Sequence, residues 1–318
     1  MRSLVTVIVP MYNEEKKVAL CVDILKKQTN QNFDVIFIND GSTDSTVKIL
    51  KESLRLNTYF NYKIITQRNQ GAAAARENGI QQADTDFVMI FDCDDKISNN
   101  YIDEISNICK KSEVDIILPN AKIEKNINVW VDFLFYTKDN VLNPKDCILN
   151  SLNGWHVHGW FTCRKNIFLK SYGEYYEYNN DKKNFINNDE VLTRLNFKNA
   201  KKIIRTDAEY YYCYNEASTT KKINERKCLM VNNALILKKI FSDNSDVNLR
   251  KKVLSELIAV LWGTFIYMHK YRKDLTNLSD WKKILRVGLH DLQYFNIFTS
   301  LDVKKKVQLT ILKLAYIF

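Results

Sequence analysis

Three carboxylates in four residues, Asp92-Cys93-Asp94-Asp95, directly follow the apolar run Phe87-Val88-Met89-Ile90-Phe91. Carboxylates that close repel one another unless a cation or hydrogen-bond donors compensate them, so the cluster points to a divalent metal. Three further polar turns each close an apolar run in the same way. Pro10-Met11-Tyr12-Asn13-Glu14 comes first, then Asn39-Asp40-Gly41-Ser42-Thr43-Asp44, then Gln67-Arg68-Asn69-Gln70-Gly71. Each has a plainer reading by itself. Asp-Gly-Ser-Thr-Asp is a good turn and helix cap, and the small residues after Gly71 suit close helix packing. The first turn has neither GxGxxG nor a P-loop, which sets aside a dinucleotide site, a kinase and an ATPase. What remains is a nucleotide site built from Asp and backbone groups, with a metal for the diphosphate.

The elements that must position these turns follow from periodicity. Strands are predicted at residues 4–9, 33–38, 62–66, 87–91 and 114–118, and helices at 14–27, 44–56, 71–82 and 100–111. Apolar strands alternating with helices give an α/β fold, a mostly parallel sheet with helices on both faces. Such sheets bind ligands at the carboxyl ends of their strands, where the four turns lie. The alternation is lost and aromatics crowd in from about 121 to 220. Helical periodicity resumes beyond it at 227–241, 247–271, 279–289 and 302–318.

At these motifs the chain resembles the family 2 glycosyltransferases of GT-A fold. The carrying residues are residues 7–14, residues 39–44, Asn69-Gln70-Gly71 with Arg76 and Asn78, and the Asp92-Cys93-Asp94 triplet. The resemblance is strong over about residues 3–120, weaker to about 220 and absent beyond. It implies a Rossmann-like sheet and inverting transfer from a nucleoside-diphosphate sugar, UDP-linked. It also implies a nucleotide-sugar-binding part (1–120) and an acceptor and catalytic-base part (121–222), after which periodicity and charge mark a helical basic segment (223–318). Pro10, Tyr12 and Glu14 would frame the uridine, and Asp40 would accept from the uracil N3–H. Arg68 or Arg76 would lie near the base or diphosphate, Asp92 near the ribose, and Asp94 on Mn²⁺ or Mg²⁺. The general base would head an acidic helix. The usual pattern there is Glu-Asp, and this chain has Asn188-Asp189 followed by Glu190, so Asp189 is the base by alignment and Glu190 the fallback.

Trp155 and Trp160 flank His156 and His158. The tryptophans could stack on sugar faces of donor or acceptor, or serve as core. The two His could share a strand face, but they lack zinc-type partners. The aromatic stretch Tyr210-Tyr211-Tyr212-Cys213-Tyr214-Asn215 looks like the family's strand and loop after the base helix, with Cys213 and Asn215 where arginines are common. Lys221 and Lys222 are expected to supply the positive charge over the diphosphate instead.

Composition bounds the rest. The chain has 318 residues with 26% charged and 12% aromatic, which excludes a disordered chain. Seven scattered cysteines form no CxxC pair and read as reduced thiols. No signal peptide or membrane-spanning run is recognised, so the expectation is a cytoplasmic protein. The net charge of +10 is uneven: residues 221–318 hold 19 basic and 8 acidic side chains, while the first 220 are nearly balanced. A basic end segment is expected to dock on anions, and no nucleic-acid partner is expected. Lys304-Lys305-Lys306 followed by Leu312, Tyr316, Ile317 and Phe318 suggests an in-plane helix on the inner face of the cell membrane, or a helix packed on its neighbours. The function expected is transfer of a sugar from a UDP-sugar to a glycan or lipid-linked acceptor in bacterial surface-polysaccharide synthesis. Its rivals are a non-catalytic sugar-nucleotide or glycan-binding protein and a sugar nucleotidyltransferase.

Overall fold

The computed structural model describes residues 3–111, 113–152, 154–215, 223–292 and 301–317. It divides into two compact units through which the chain passes more than once. Unit 1 is Met1–Ile148, His156–Glu174 and Leu192–Asn215, and unit 2 is Leu149–Trp155, Tyr175–Val191 and Glu216–Phe318.

Unit 1 opens as alternating strands and helices: β1 (Val5–Met11), α1 (Val18–Lys26), β2 (Asp34–Asn39), α2 (Thr46–Leu54), β3 (Asn61–Thr66), α3 (Ala72–Gln82) and β4 (Phe87–Ile90). Next come β5 (Lys96–Ile97), α4 (Tyr101–Lys111), β6 (Ile116–Asn126), β7 (Val129–Asp132) and β8 (Val141–Leu142). After α5 (Pro144–Ser151) follow β9 (Thr162–Arg164), α6 (Lys165–Tyr178), α7 (Asn188–Asn199) and β10 (Ile203–Tyr212). Among the described residues ten strands make one sheet in the order β3-β2-β1-β4-β9-β6-β10-β5, with β7 added to β6 and β8 to β10.

The strands β1 to β4 pair in parallel, as the alternation predicts. The period of two along β1 sorts the helices onto two faces. Val5, Val7, Val9 and Met11 join a buried cluster with Val18, Cys21, Val22 and Leu25 of α1 and Leu50 and Leu54 of α2. Ile8, pointing the other way, meets Gly79 of α3 so closely that a Cβ there would lie 2.3 Å from Ile8 Cγ2. The fifth strand departs from a simple parallel order. Short β9 slips between β4 and β6 and runs antiparallel to both, because it comes from a loop rather than a crossover helix. The aromatic strand β10 is parallel to β6.

Strand order reverses about β1: β2 and β3 lie on one side of it and β4 on the other. That is the switch point where an α/β sheet leaves a crevice at its carboxyl edge. The turns after β1 and β4 flank it.

Unit 2 is mainly helical. After a 3₁₀ turn (Lys227–Leu229) it holds α8 (Met230–Ile240), α9 (Val247–Lys270), α10 (Leu278–Asp291) and α11 (Val303–Ile317). Its core gathers Val231, Leu257, Leu261, Trp281, Leu285, Leu309 and Leu312. Leu312 is fully buried, and half-buried Tyr316 packs edge-on to Phe265 at 6.2 Å, which corrects the expectation that these two enter a membrane interface. Phe318, Lys221 and Lys222 lie outside the described residues. No described helix is long and apolar enough to cross a membrane.

Candidate functional site

The four polar turns are joined by one run of hydrogen bonds. After β1, Asn13 adopts a positive φ of 56° and turns the chain back over the second turn. Its N–H donates to Ser42 Oγ at 3.0 Å, and its side-chain oxygen accepts from Thr43 N at 2.8 Å. Glu14 N donates to Thr46 Oγ1 at 2.7 Å. Gly41 sits at φ 74°, and an added Cβ would come within 2.9 Å of Asn69 N, so only glycine fits between the second and third turns.

Asp40 is buried at the second turn and clasps the third. One carboxylate oxygen accepts from Gln67 Nε2 at 2.8 Å and Gln70 N at 2.9 Å, and the other accepts from Gly71 N at 2.8 Å. Asn78 locks the far side by donating to Gln67 Oε1 at 2.7 Å. The third turn reaches the fourth through Arg76, one nitrogen of which donates to both oxygens of Asp92 at 2.8 and 2.9 Å. Arg68 is exposed.

The fourth turn is anchored to β10. Asp95 is 2% exposed and accepts from Tyr210 Oη at 2.6 Å and from Cys213 N at 2.9 Å. Asp94, less buried, accepts from Asn215 Nδ2 at 2.8 Å. Pro10, Tyr12, Glu14, Asp40, Arg68, Arg76, Asp92 and Asp94 therefore all belong to one edge of unit 1. Tyr12, in the turn after β1, is 49% exposed.

Burial first, and then the charges of Asp94 and Asp92, push the Glu14 carboxyl up to about 7, with Lys17 acting against them. Glu14, Asp92 and Asp94 thus lie close enough to feel one another's charge, and hard carboxylate oxygens suit a divalent cation. Among the described residues no three His, Cys, Asp or Glu side chains group into a complete metal site. The donor set fits an ion that takes one or two protein oxygens and completes its shell from a diphosphate.

Trp160 is half-buried and stacks on Tyr210 at 5.4 Å and Tyr212 at 5.1 Å. His158 is buried beside it among Phe133 and Phe135. Its Nε2 lies 2.9 Å from Pro119 O, which can only accept, so Nε2 carries the proton. Burial drives its pKa down to about 3, and the ring is a neutral core group rather than a ligand. Trp155 belongs to unit 2 and Trp160 to unit 1.

Asp189 also belongs to unit 2. It is exposed in the first turn of α7, directly after buried Asn188. The turn before it is held by a residue the motifs did not single out. Asn233 of α8 is 1% exposed, and its Nδ2 lies 2.8 Å from Ile186 O, 3.2 Å from Asn187 Oδ1 and 3.0 Å from Asn188 Oδ1. Tyr175 Oη donates to Asn233 Oδ1 at 2.8 Å. A signal for it exists in the sequence: an asparagine at helical spacing from Met230, Ile236 and Leu237, on an otherwise apolar face.

Residues 6–145 match the family model Glycosyl transferase family 2. This stretch is therefore similar to family 2 glycosyltransferase domains. GlyG, a glycosyltransferase of Streptococcus pneumoniae serotype 4, is 32% identical over 121 residues, 38% of this chain and 40% of GlyG. The matched stretch spans only 16% to 40% of the length of such curated relatives. Among solved structures, Staphylococcus aureus TarS 1-349 in complex with UDP-GlcNAc has a TM-score of 0.72 at 19% identity, covering 99% of this chain and 88% of that one. The mannosyltransferase PcManGT of Pyrobaculum calidifontis, in complex with GDP-Man and Mn²⁺, has a TM-score of 0.51 at 14% identity, covering 100% of this chain and 88% of that one. The GT-A fold expected from the motifs is thus the fold of the chain. The stretch matched by the family model holds all four turns, and the TarS structure covers the helical unit as well.

Proposed function

We propose that the chain transfers a sugar from a UDP-sugar to a hydroxyl of a glycan or lipid-linked acceptor, with inversion, in the synthesis of a bacterial surface polysaccharide. The observation that carries this reading is the hydrogen-bonded edge that joins Asn13, Asp40, Gln67, Arg76, Asp92 and Asp94 around the switch point of the sheet. The UDP-GlcNAc and UDP complexes of TarS, on the same fold, support a uridine donor.

Each residue has a task in this reading. Tyr12 covers the base, with Pro10 and Glu14 beside it. Asp40 holds the third turn in place through its backbone bonds and keeps one oxygen lone pair for the uracil N3–H. Arg76 orients Asp92 toward the ribose, and Arg68 lies ready for the diphosphate. Asp94 would hold Mn²⁺ or Mg²⁺, which when bound neutralises charge on the departing diphosphate. The Mn²⁺ complex of PcManGT supports a divalent ion in a site of this kind. Asp189 takes the proton of the acceptor hydroxyl as that oxygen attacks the anomeric carbon in line. No covalent enzyme intermediate is needed. Trp155 and Trp160 are the acceptor candidates, and Trp160 is held in place by its stacking on Tyr210 and Tyr212.

The test is UDP release from a set of UDP-sugars, with Mn²⁺ or Mg²⁺ and without. Slow metal-stimulated release from one donor, accelerated by an acceptor, supports the reading. Tight UDP binding with no release from any donor would assign the chain to the non-catalytic binding class.

A further inference from the structure

The last helix carries two apolar faces, and only one is used by the fold. Leu309 and Leu312 are fully buried and join Leu301 in the core of unit 2. Val303, Val307, Ile311 and Leu314 are instead 77%, 52%, 41% and 54% exposed. At roughly 100° per residue these four fall within an arc of about 80°, on the side opposite Leu309 and Leu312. Lys304 borders this stripe on one side, and Lys306 and Lys313 border it on the other. The helix has four lysines and no acidic residue along its whole length. Lys305 turns toward the packed side and is half-buried, near Asp302 and Glu256.

Single exposed apolar residues need no explanation, but a stripe three turns long with cationic borders does. The arrangement matches a helix lying in the plane of a lipid surface. Apolar side chains enter the acyl boundary while ammonium groups on long stems stay level with anionic headgroups. A second copy of the chain is a poor occupant. Pairing two such stripes would bring two sets of lysines together, with no carboxylate on either helix to offset them. The surrounding charge points the same way, since residues 221–318 hold 19 basic and 8 acidic side chains.

We propose that α11 docks the chain on an anionic lipid surface through Val303, Val307, Ile311 and Leu314, with Lys304 and Lys306 at the headgroups. This surface belongs to unit 2 alone, and it does not rest on the reading of the donor site.

The test is co-sedimentation of the full chain with vesicles of equal parts phosphatidylglycerol and phosphatidylcholine, against vesicles of phosphatidylcholine alone. The chain is expected to sediment with the anionic vesicles, less so in molar salt, and to leave the neutral ones largely unbound. The exposed-site variant V307E/I311E should unfold at the wild-type temperature and lose at least tenfold in vesicle affinity. K304Q/K306Q alters no apolar contact and gives an independent reading. It should weaken binding by about fivefold per lysine and flatten the salt dependence. No sedimentation of the wild-type chain, or equal binding by both variants, would overturn the proposal. So would a wild-type dimer in sedimentation equilibrium that V307E/I311E dissociates, which would assign the stripe to a second copy. None of these readouts involves UDP release, so failure here and failure of the transfer reading are told apart.

Discussion

In the proposed mechanism Asp94 and Asp189 divide the chemistry, and their substitutions should be distinguishable. Asp94→Ala removes the oxygen proposed to hold the ion. Metal-stimulated UDP release should nearly vanish, and EDTA should stop the wild-type enzyme; full activity of the stripped protein would refute the metal role. Asp189→Asn keeps shape and loses the proton acceptor, which costs about 10²–10⁴-fold in rate when a general base is removed. Donor affinity should change little, since the proposed nucleotide contacts lie in other turns. If Glu190→Gln abolishes transfer and Asp189→Asn does not, the base is one residue further along. Asn233→Leu separates positioning from chemistry. It removes the donor that holds Ile186, Asn187 and Asn188 and leaves Tyr175 Oη without its acceptor. The rate constant for transfer should fall while UDP affinity measured by calorimetry stays near wild type, and Asn233→Gln should not restore it, because the longer side chain cannot keep the same contacts in a buried site.

At the scale of elements, the donor edge depends on how closely α3 approaches β1. Gly79 permits it, and Gly79→Ala would place a methyl 2.3 Å from Ile8 Cγ2, in a strand residue with no exposure. Overpacking of that kind costs about 1–3 kcal/mol, against about 1 kcal/mol gained in helix propensity. Thermal unfolding should therefore shift downward, and the start of α3, with Arg76, should be displaced from Asp92. An unchanged or higher melting temperature together with wild-type UDP affinity would contradict this account of the packing. The two anchors of β10, Tyr210 Oη and Cys213 N on Asp95, do comparable work at the other end of the edge, since they place Asn215 on Asp94.

For the whole molecule, the titrations of buried His158 and half-buried Glu14 oppose each other below neutrality. His158 has its pKa lowered from 6.5 to about 3 by burial, so the unfolded chain binds a proton that the native one does not. Its contribution is complete above pH 6.5 and is lost as pH falls toward 3, by about 3 kcal/mol at pH 4.5. Glu14 has the opposite sign. Its pKa is raised to about 7, so the native chain holds the extra proton and stability from this group grows as pH falls from 7 toward 4.5. Glu14 is partly open to solvent, which screens its share. Burial also pushes the Asp95 carboxyl up, with the same sign as Glu14. In urea titrations from pH 6.5 to 4.5, His158→Phe should therefore shift the slope toward greater stability at low pH relative to wild type, and Glu14→Gln should shift it the other way. A slope unchanged by His158→Phe would mean that the ring is not held neutral.

The strand-helix alternation of residues 4–111 was legible because a parallel strand buried on both faces must be apolar, while the turns at its carboxyl end stay polar. The residues that gather at this edge could be named for the same reason: Asp40, Asp92 and Asp94 stand at fixed offsets after such strands. Their partners could not. That Asp40 serves Gln70 and Gly71, that Arg76 chooses Asp92, and that Asn215 meets Asp94 depend on register between segments 16 to 121 residues apart, which no local pattern encodes. The same holds for β9, whose three residues enter the sheet antiparallel because of where a loop returns. In α11 the sequence supplied two apolar stripes of similar strength. Only the packing of Leu309 and Leu312 against α9 and its neighbours decided which one the fold consumes, and so which one, flanked by Lys304 and Lys306, is left facing outward.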